Sequence, residues 1–134
     1  METETKTLFQ HLHSDLLEYQ TRFADVSTKG ASLNLLALGW MLTSEPARTF
    51  IATNTSGRSA AITGIVIMEA AYLFLAIRMA HVMQRLARQM DALDYLPRSY
   101  YDFRALPPRI IATTATIAIA PAGIAIAFML LIAK

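Results

Sequence analysis

Cysteine is absent from this chain, and charge is scarce, with Asp, Glu, Lys and Arg making up only 16% of its 134 residues. Without cysteine there is no disulfide framework, no thiolate metal site and no cysteine nucleophile. The twelve basic residues barely exceed the ten acidic ones, and a net charge of +2 is too small to hold a nucleic acid by its phosphates. No nucleic-acid partner is expected. There is also no glycine-rich phosphate loop, no nucleophile elbow and no pair of histidines on one helix face. His11 and His13 would point ~200° apart on a helix, and His11 with Asp15 offers fewer ligands than zinc requires. Asp91 and Asp94, near His81, Arg85 and Tyr95, read as solvated carboxylates at a helix end. The expectation is a protein that is not an enzyme and has no cofactor or metal. The polar, acidic stretch from Met1 to Gln10 is not a cleavable signal peptide, so the first membrane segment is expected to act as its own insertion signal.

Apolar sequence fills the space that charge leaves, at 54% of the residues. Three runs stand out. From Ile110 to Ala133 there is no charged side chain, a stretch that as a helix is ~36 Å long against the ~30 Å of a bilayer's hydrocarbon core. Ser59 to Ala80 is long enough to cross but holds Glu69 in its middle and Arg78 near its end. Ala31 to Thr43 is shorter and is interrupted by Ser32 and Asn34; Lys29 extends its reach by snorkelling. Arg78, Arg85, Arg88, Arg98, Arg104 and Arg109 crowd around the connector between the second and third runs. The connector between the first and second holds only Arg48 and Arg58. The positive-inside rule then places the N-terminus in the cytoplasm and the C-terminus outside, with the bacterial inner membrane as the expected location.

The polar parts read as helix too. Leu8, Leu12, Leu16, Tyr19, Phe23 and Val26 recur at spacings of three and four, as do Met79, Met83, Leu86, Met90 and Leu93. The fold class predicted is therefore an all-α integral membrane protein with three transmembrane helices, forming one domain. Helix one covers about 7–44 and helix two 59–96, both continuing from the membrane into a cytoplasmic antiparallel hairpin. A connector follows over 97–108, with Tyr100, Tyr101 and Phe103 suited to a headgroup-level aromatic belt, and transmembrane helix three covers 109–133. Ser44-Glu45-Pro46 predicts the N-cap of a short external helix with Phe50 and Ile51 in the interface, and Asn54-Thr55-Ser56-Gly57 predicts a turn. Asp25 on helix one and the stripe of Arg78, Arg85 and Arg88 on helix two suggest a register set by charge, with Asp25 reaching Arg85.

Glu69 is the sharpest functional candidate, because a carboxylate in hydrocarbon is costly and usually faces a bundle interior or a water-filled cavity. Asn34 and Ser32 lie at a matching depth as polar partners. Pro121 with Gly123 marks a kink or hinge in helix three. Gly30/Asn34, Gly39/Thr43, Ala60/Gly64 and Gly123/Ala127 have the small-residue spacing of close helix packing. The reading that follows is a small multi-pass membrane protein acting as an accessory subunit or a helix-packed homo-oligomer, with the lipid bilayer and a further membrane chain as its partners. The alternative is an oligomeric pore or ion pathway that uses Glu69. A cytoplasmic helix, a membrane hairpin and a long return helix together resemble, in layout, small bacterial membrane effectors of the SLATT type, from which the third membrane helix departs.

Overall fold

A computed structural model describes residues 2–94 and 108–132, and among these the chain is all α-helix: α1 (Glu2–Thr43), α2 (Glu45–Thr53), α3 (Thr55–Ala92) and α4 (Pro108–Ile132). The connector with Tyr100, Tyr101, Phe103, Arg98 and Arg104 lies outside the described residues. Two helices, α3 and α4, are long and apolar enough to cross a membrane; their most apolar windows are only 11% and 33% buried. A core helix of a soluble protein would bury most of such a window, so this exposure argues against that origin. α1 is not among the two, since Lys29 and Asn34 lower the mean of its apolar stretch.

Local chemistry sets the helix boundaries. Ser44 accepts a hydrogen bond from the Ala47 backbone N–H at 3.3 Å, with Pro46 in the first turn of α2 where its missing N–H costs nothing. Asn54 serves two helices at once. Its backbone N–H donates to the Phe50 carbonyl to close α2, and its side-chain oxygen accepts from the Gly57 N–H at 2.8 Å to open α3. The turn expected over 54–57 therefore shrinks to the single residue Asn54, and residues 55–57 become helix. Gly57 lies beneath the Phe50 ring, 2.6 Å from where a Cβ would stand, so a side chain there would require that exposed ring to swing aside. Ile51, expected at the interface, is instead buried, while Phe50 is exposed. At its other end α3 stops at Ala92, short of Leu96-Pro97, and Asp94 follows in the left-handed region at φ 46°.

The chain divides into two compact units, one holding the described residues of 1–26 and 75–113, the other those of 27–74 and 114–134. In the first, Phe9, Leu16 and Phe23 of α1 share a core with Ala76, Met83 and Met90 of α3 and Ile111 of α4. Both long helices contribute every seventh residue, and Leu12, Tyr19, Met79, Leu86 and Leu93 flank them at the intervening positions. This is the seam of a coiled coil. Leu16, Met83 and Met90 are no more than 2% exposed, and burying each such side chain stabilises the unit by roughly 1.5–3 kcal/mol. The buried face differs from the expected one at its end: Phe9 is buried and Leu8 is half exposed. Both fit a three-four spacing, but only Phe9 keeps the seven-residue step to Leu16, and it also stacks on His13.

The second unit is built the other way round. Its core comprises Met41, Ile51, Ala125 and Met129, with Leu38, Ala61, Ile62 and Ile65 packed against them. Polar residues Ser27 and Asn34 are buried, whereas Leu36, Trp40, Ile67, Phe74, Ile117 and Leu131 are each more than 60% exposed. Along α1 the buried positions run 9, 16, 23 and then 27, 34, 41. The four-residue step from Phe23 to Ser27 departs from the seven-residue spacing within each series.

Candidate functional site

Asn34 is buried in the second unit, at 4% exposure. Its side-chain Nδ2 donates one hydrogen to Oε1 of Glu69 on α3 at 2.8 Å and the other to the main-chain carbonyl of Ala118 on α4 at 2.9 Å. One amide thus ties α1 to two other helices. The residue type follows from the acceptors: the Glu69 Oε1 and the peptide carbonyl of Ala118 both accept here, so a group with two N–H donors at one atom suits the place between them. Aspartate in this place would set carboxylate against carboxylate. Leucine would leave both oxygens bare.

The sequence of α4 is what brings a main-chain carbonyl within reach. Ala115, Ala118, Ala122 and Ala125 are its buried face, and side chains this small let helix backbones approach closely in apolar surroundings. Pro121 is buried beside them. Having no N–H, it deprives the Ile117 carbonyl of its helical donor, and the Asn34 amide meets the same weakened turn at the next carbonyl. α4 continues as one helix through Pro121. Gly123 is exposed with nothing within 4 Å of an added Cβ, so it packs against no part of the described chain.

One heptad away on α1, a second polar bond joins the same two long helices. The Tyr72 hydroxyl donates to Ser27 Oγ at 3.0 Å, both side chains being buried. Its ring lies over Gly30, where an added Cβ would sit 3.7 Å away, an ordinary contact. Moving from Asn34 back to Ser27 on α1 corresponds to moving from Glu69 forward to Tyr72 on α3, so the two helices run antiparallel here.

The site brings together Asn34 and Glu69, with Pro121 one turn from their α4 partner. Ser32 is exposed and takes no part. Of the small-residue pairs, Ala60/Gly64 and Gly123/Ala127 face outward, and Gly39 and Gly64 have open space where a Cβ would stand. The charge stripe is separate from the site. Asp25, Arg78, Arg85 and Arg88 are all exposed. No ion pair joins Asp25 to Arg85 among the described residues, and Arg22 pairs with Glu18 along its own helix. Ser27, Tyr72 and the Ala118 carbonyl escaped the sequence reading. Tyr72 carried a signal: it lies seven residues from both Ile65 and Met79, at a seam position where a hydroxyl needs a partner. Among the described residues no three His, Asp or Glu side chains gather to hold a metal. Comparison with known protein families, characterised proteins and solved structures finds no match for this chain.

Proposed function

We propose that this chain is a non-enzymatic multi-pass protein of the bacterial inner membrane, an accessory subunit or helix-packed homo-oligomer whose three membrane helices are fastened by the Asn34 node. In this reading α3, α4 and the latter part of α1 cross the bilayer. The first part of α1 and the last part of α3 form a cytoplasmic hairpin, and the C-terminus lies outside. The observation that carries it is the Asn34 amide, with both hydrogens engaged by Glu69 and Ala118. A carboxylate placed in hydrocarbon needs such a donor, and a donor committed to two helices is a fastening. The outward faces at Ala60/Gly64 and Gly123/Ala127 have the small-residue spacing through which a further membrane chain packs.

Glu69 is only half-buried, and this partial opening favours the second reading, a pore or ion pathway lined by Glu69 in an oligomer. The two separate on one pair of variants. Glu69→Gln keeps an oxygen acceptor for Asn34, while Glu69→Leu does not. The fastening role predicts that wild type in liposomes carries no cation or proton flux, that Glu69→Gln assembles and melts like wild type, and that Glu69→Leu melts early. A flux in wild type that Glu69→Gln abolishes would replace fastening by the pathway.

A further inference from the structure

The outer faces of the first unit carry two charged stripes that the Asn34 node does not use. On α1, Asp15, Glu18, Arg22 and Asp25 follow at steps of three, four and three, all exposed. On α3, Arg78, His81, Arg85 and Arg88 follow at the same steps, all exposed. Such steps keep each set together on one side of its helix. The first stripe is acidic but for Arg22, and the second holds no acid, since none occurs on α3 between Glu69 and Asp91. Arg22 is paired with Glu18 on its own helix. Asp15, Arg78, Arg85 and Arg88 make no ion pair among the described residues.

Both stripes are turned away from the seam. Glu18 and Asp25 each stand two residues, ~200°, from a buried seam residue, Leu16 and Phe23. Arg78 and Arg85 stand in the same way to Ala76 and Met83. The helices meet through that seam, so one chain cannot bring its two stripes together. The helices are antiparallel, and Phe23 and Ala76 therefore mark the same end of their shared core. Asp25 and Arg78 are displaced from that end in opposite senses, by ~6 Å in all. Each side chain leans toward the N-terminus of its own helix, which closes this offset on antiparallel helices. From there each stripe advances ten residues, ~15 Å, so the two are level throughout.

We infer that the acidic stripe of α1 docks on the basic stripe of α3 in a second copy of this chain, forming a head-to-tail homo-oligomer around an axis normal to the membrane. The inference rests on the membrane reading above and names the contact in the homo-oligomer that reading allows. A bilayer holds all copies at one depth and in one orientation, so rotation about its normal brings level residues together. Asp25 then meets Arg78 of the next copy, Glu18 meets Arg85, and Asp15 meets Arg88. Arg22 falls opposite His81, the one position without an acid. The contact is heterologous: each copy offers one stripe to each neighbour, whereas like stripes repel. Exposed pairs of this kind are individually weak, so they select the neighbour and its register.

The test uses the full chain in phosphatidylcholine vesicles, with a short bis-maleimide as the probe. Copies carrying Asp15→Cys are mixed with copies carrying Arg88→Cys, each thiol being the only one in its chain. The mixture should give a covalent dimer, and neither variant alone should. Adding Glu18→Lys to the Asp15→Cys copies should lower the yield roughly tenfold at limiting protein density, because a weak attraction becomes a repulsion. Adding Arg85→Glu to the Arg88→Cys copies as well should restore it. Restoration between two different chains cannot come from a change in the fold of either. Inserted protein that gives no dimer on mixing overturns the interface and leaves the membrane reading standing. So does equal cross-linking of either variant alone, or a Glu18→Lys loss that Arg85→Glu fails to restore. Failure of wild type to insert overturns the membrane reading and the interface with it.

Discussion

The two compact units use the same pair of long helices in opposite ways. In the unit formed by 1–26 and 75–113, the seam between α1 and α3 is apolar (Phe9, Leu16 and Phe23 with Ala76, Met83 and Met90) and the outer faces carry Asp15, Glu18, Arg22, Arg78, Arg85 and Arg88. In the unit formed by 27–74 and 114–134, polar bonds lie inside, Ser27 with Tyr72 and Asn34 with Glu69, and the outer faces carry Leu36, Ile67, Phe74 and Ile117. A helix hides whichever surface its solvent rejects. Water rejects apolar side chains such as those inside the first unit; hydrocarbon rejects polar side chains such as those inside the second. The contrast supports the proposed membrane location independently of helix length.

If the first unit is held by apolar burial, its seam should be the most sensitive place in the molecule. Leu16→Ala removes a fully buried side chain from that seam and should cost about 3 kcal/mol in reversible unfolding, within the usual 2–5 kcal/mol for such a cavity. The second unit should respond to polarity instead. Asn34→Leu adds apolar bulk yet strips the donor from Glu69 and Ala118, and should destabilise by about 2 kcal/mol in detergent unfolding. If that unit were an ordinary apolar core, the same change would be neutral or stabilising. Tyr72→Phe deletes a single hydroxyl bond while keeping the ring over Gly30. It should cost only ~0.6–1.5 kcal/mol, the range for one interhelical hydrogen bond in a membrane.

Much of this contrast can be read from the residues. The charge-free run before the chain's last residue, the caps at Ser44 and Asn54, and the heptad from Met79 to Leu93 each follow from local chemistry. Asn34 is legible as a polar residue at the depth of Glu69. The third member of the node is not, because a main-chain carbonyl leaves no mark on the side-chain pattern; only the alanine face of α4 and Pro121 hint at a close approach there. The choice of Phe9 over Leu8 is likewise settled by which seven-residue series finds a partner on α3, a tertiary fact. The four-residue step from Phe23 to Ser27 hides in the sequence for the same reason. Asp25 and Arg85 illustrate the reverse error: the sequence shows complementary charge but not that both side chains point outward, where such pairs are worth little.

Because the chain has no cysteine, any introduced thiol is unique, and its reactivity reports the solvent around it. Single variants Ile67→Cys, on the exposed apolar face of the second unit, and Arg85→Cys, on the exposed charged face of the first, are placed in vesicles opened to both sides and treated with a water-soluble maleimide. Arg85→Cys should label rapidly, and Ile67→Cys should stay protected until detergent or denaturant is added. Equal labelling of both in intact bilayers would contradict it, because the second unit would then face water and the inversion between the two units would have no solvent to explain it.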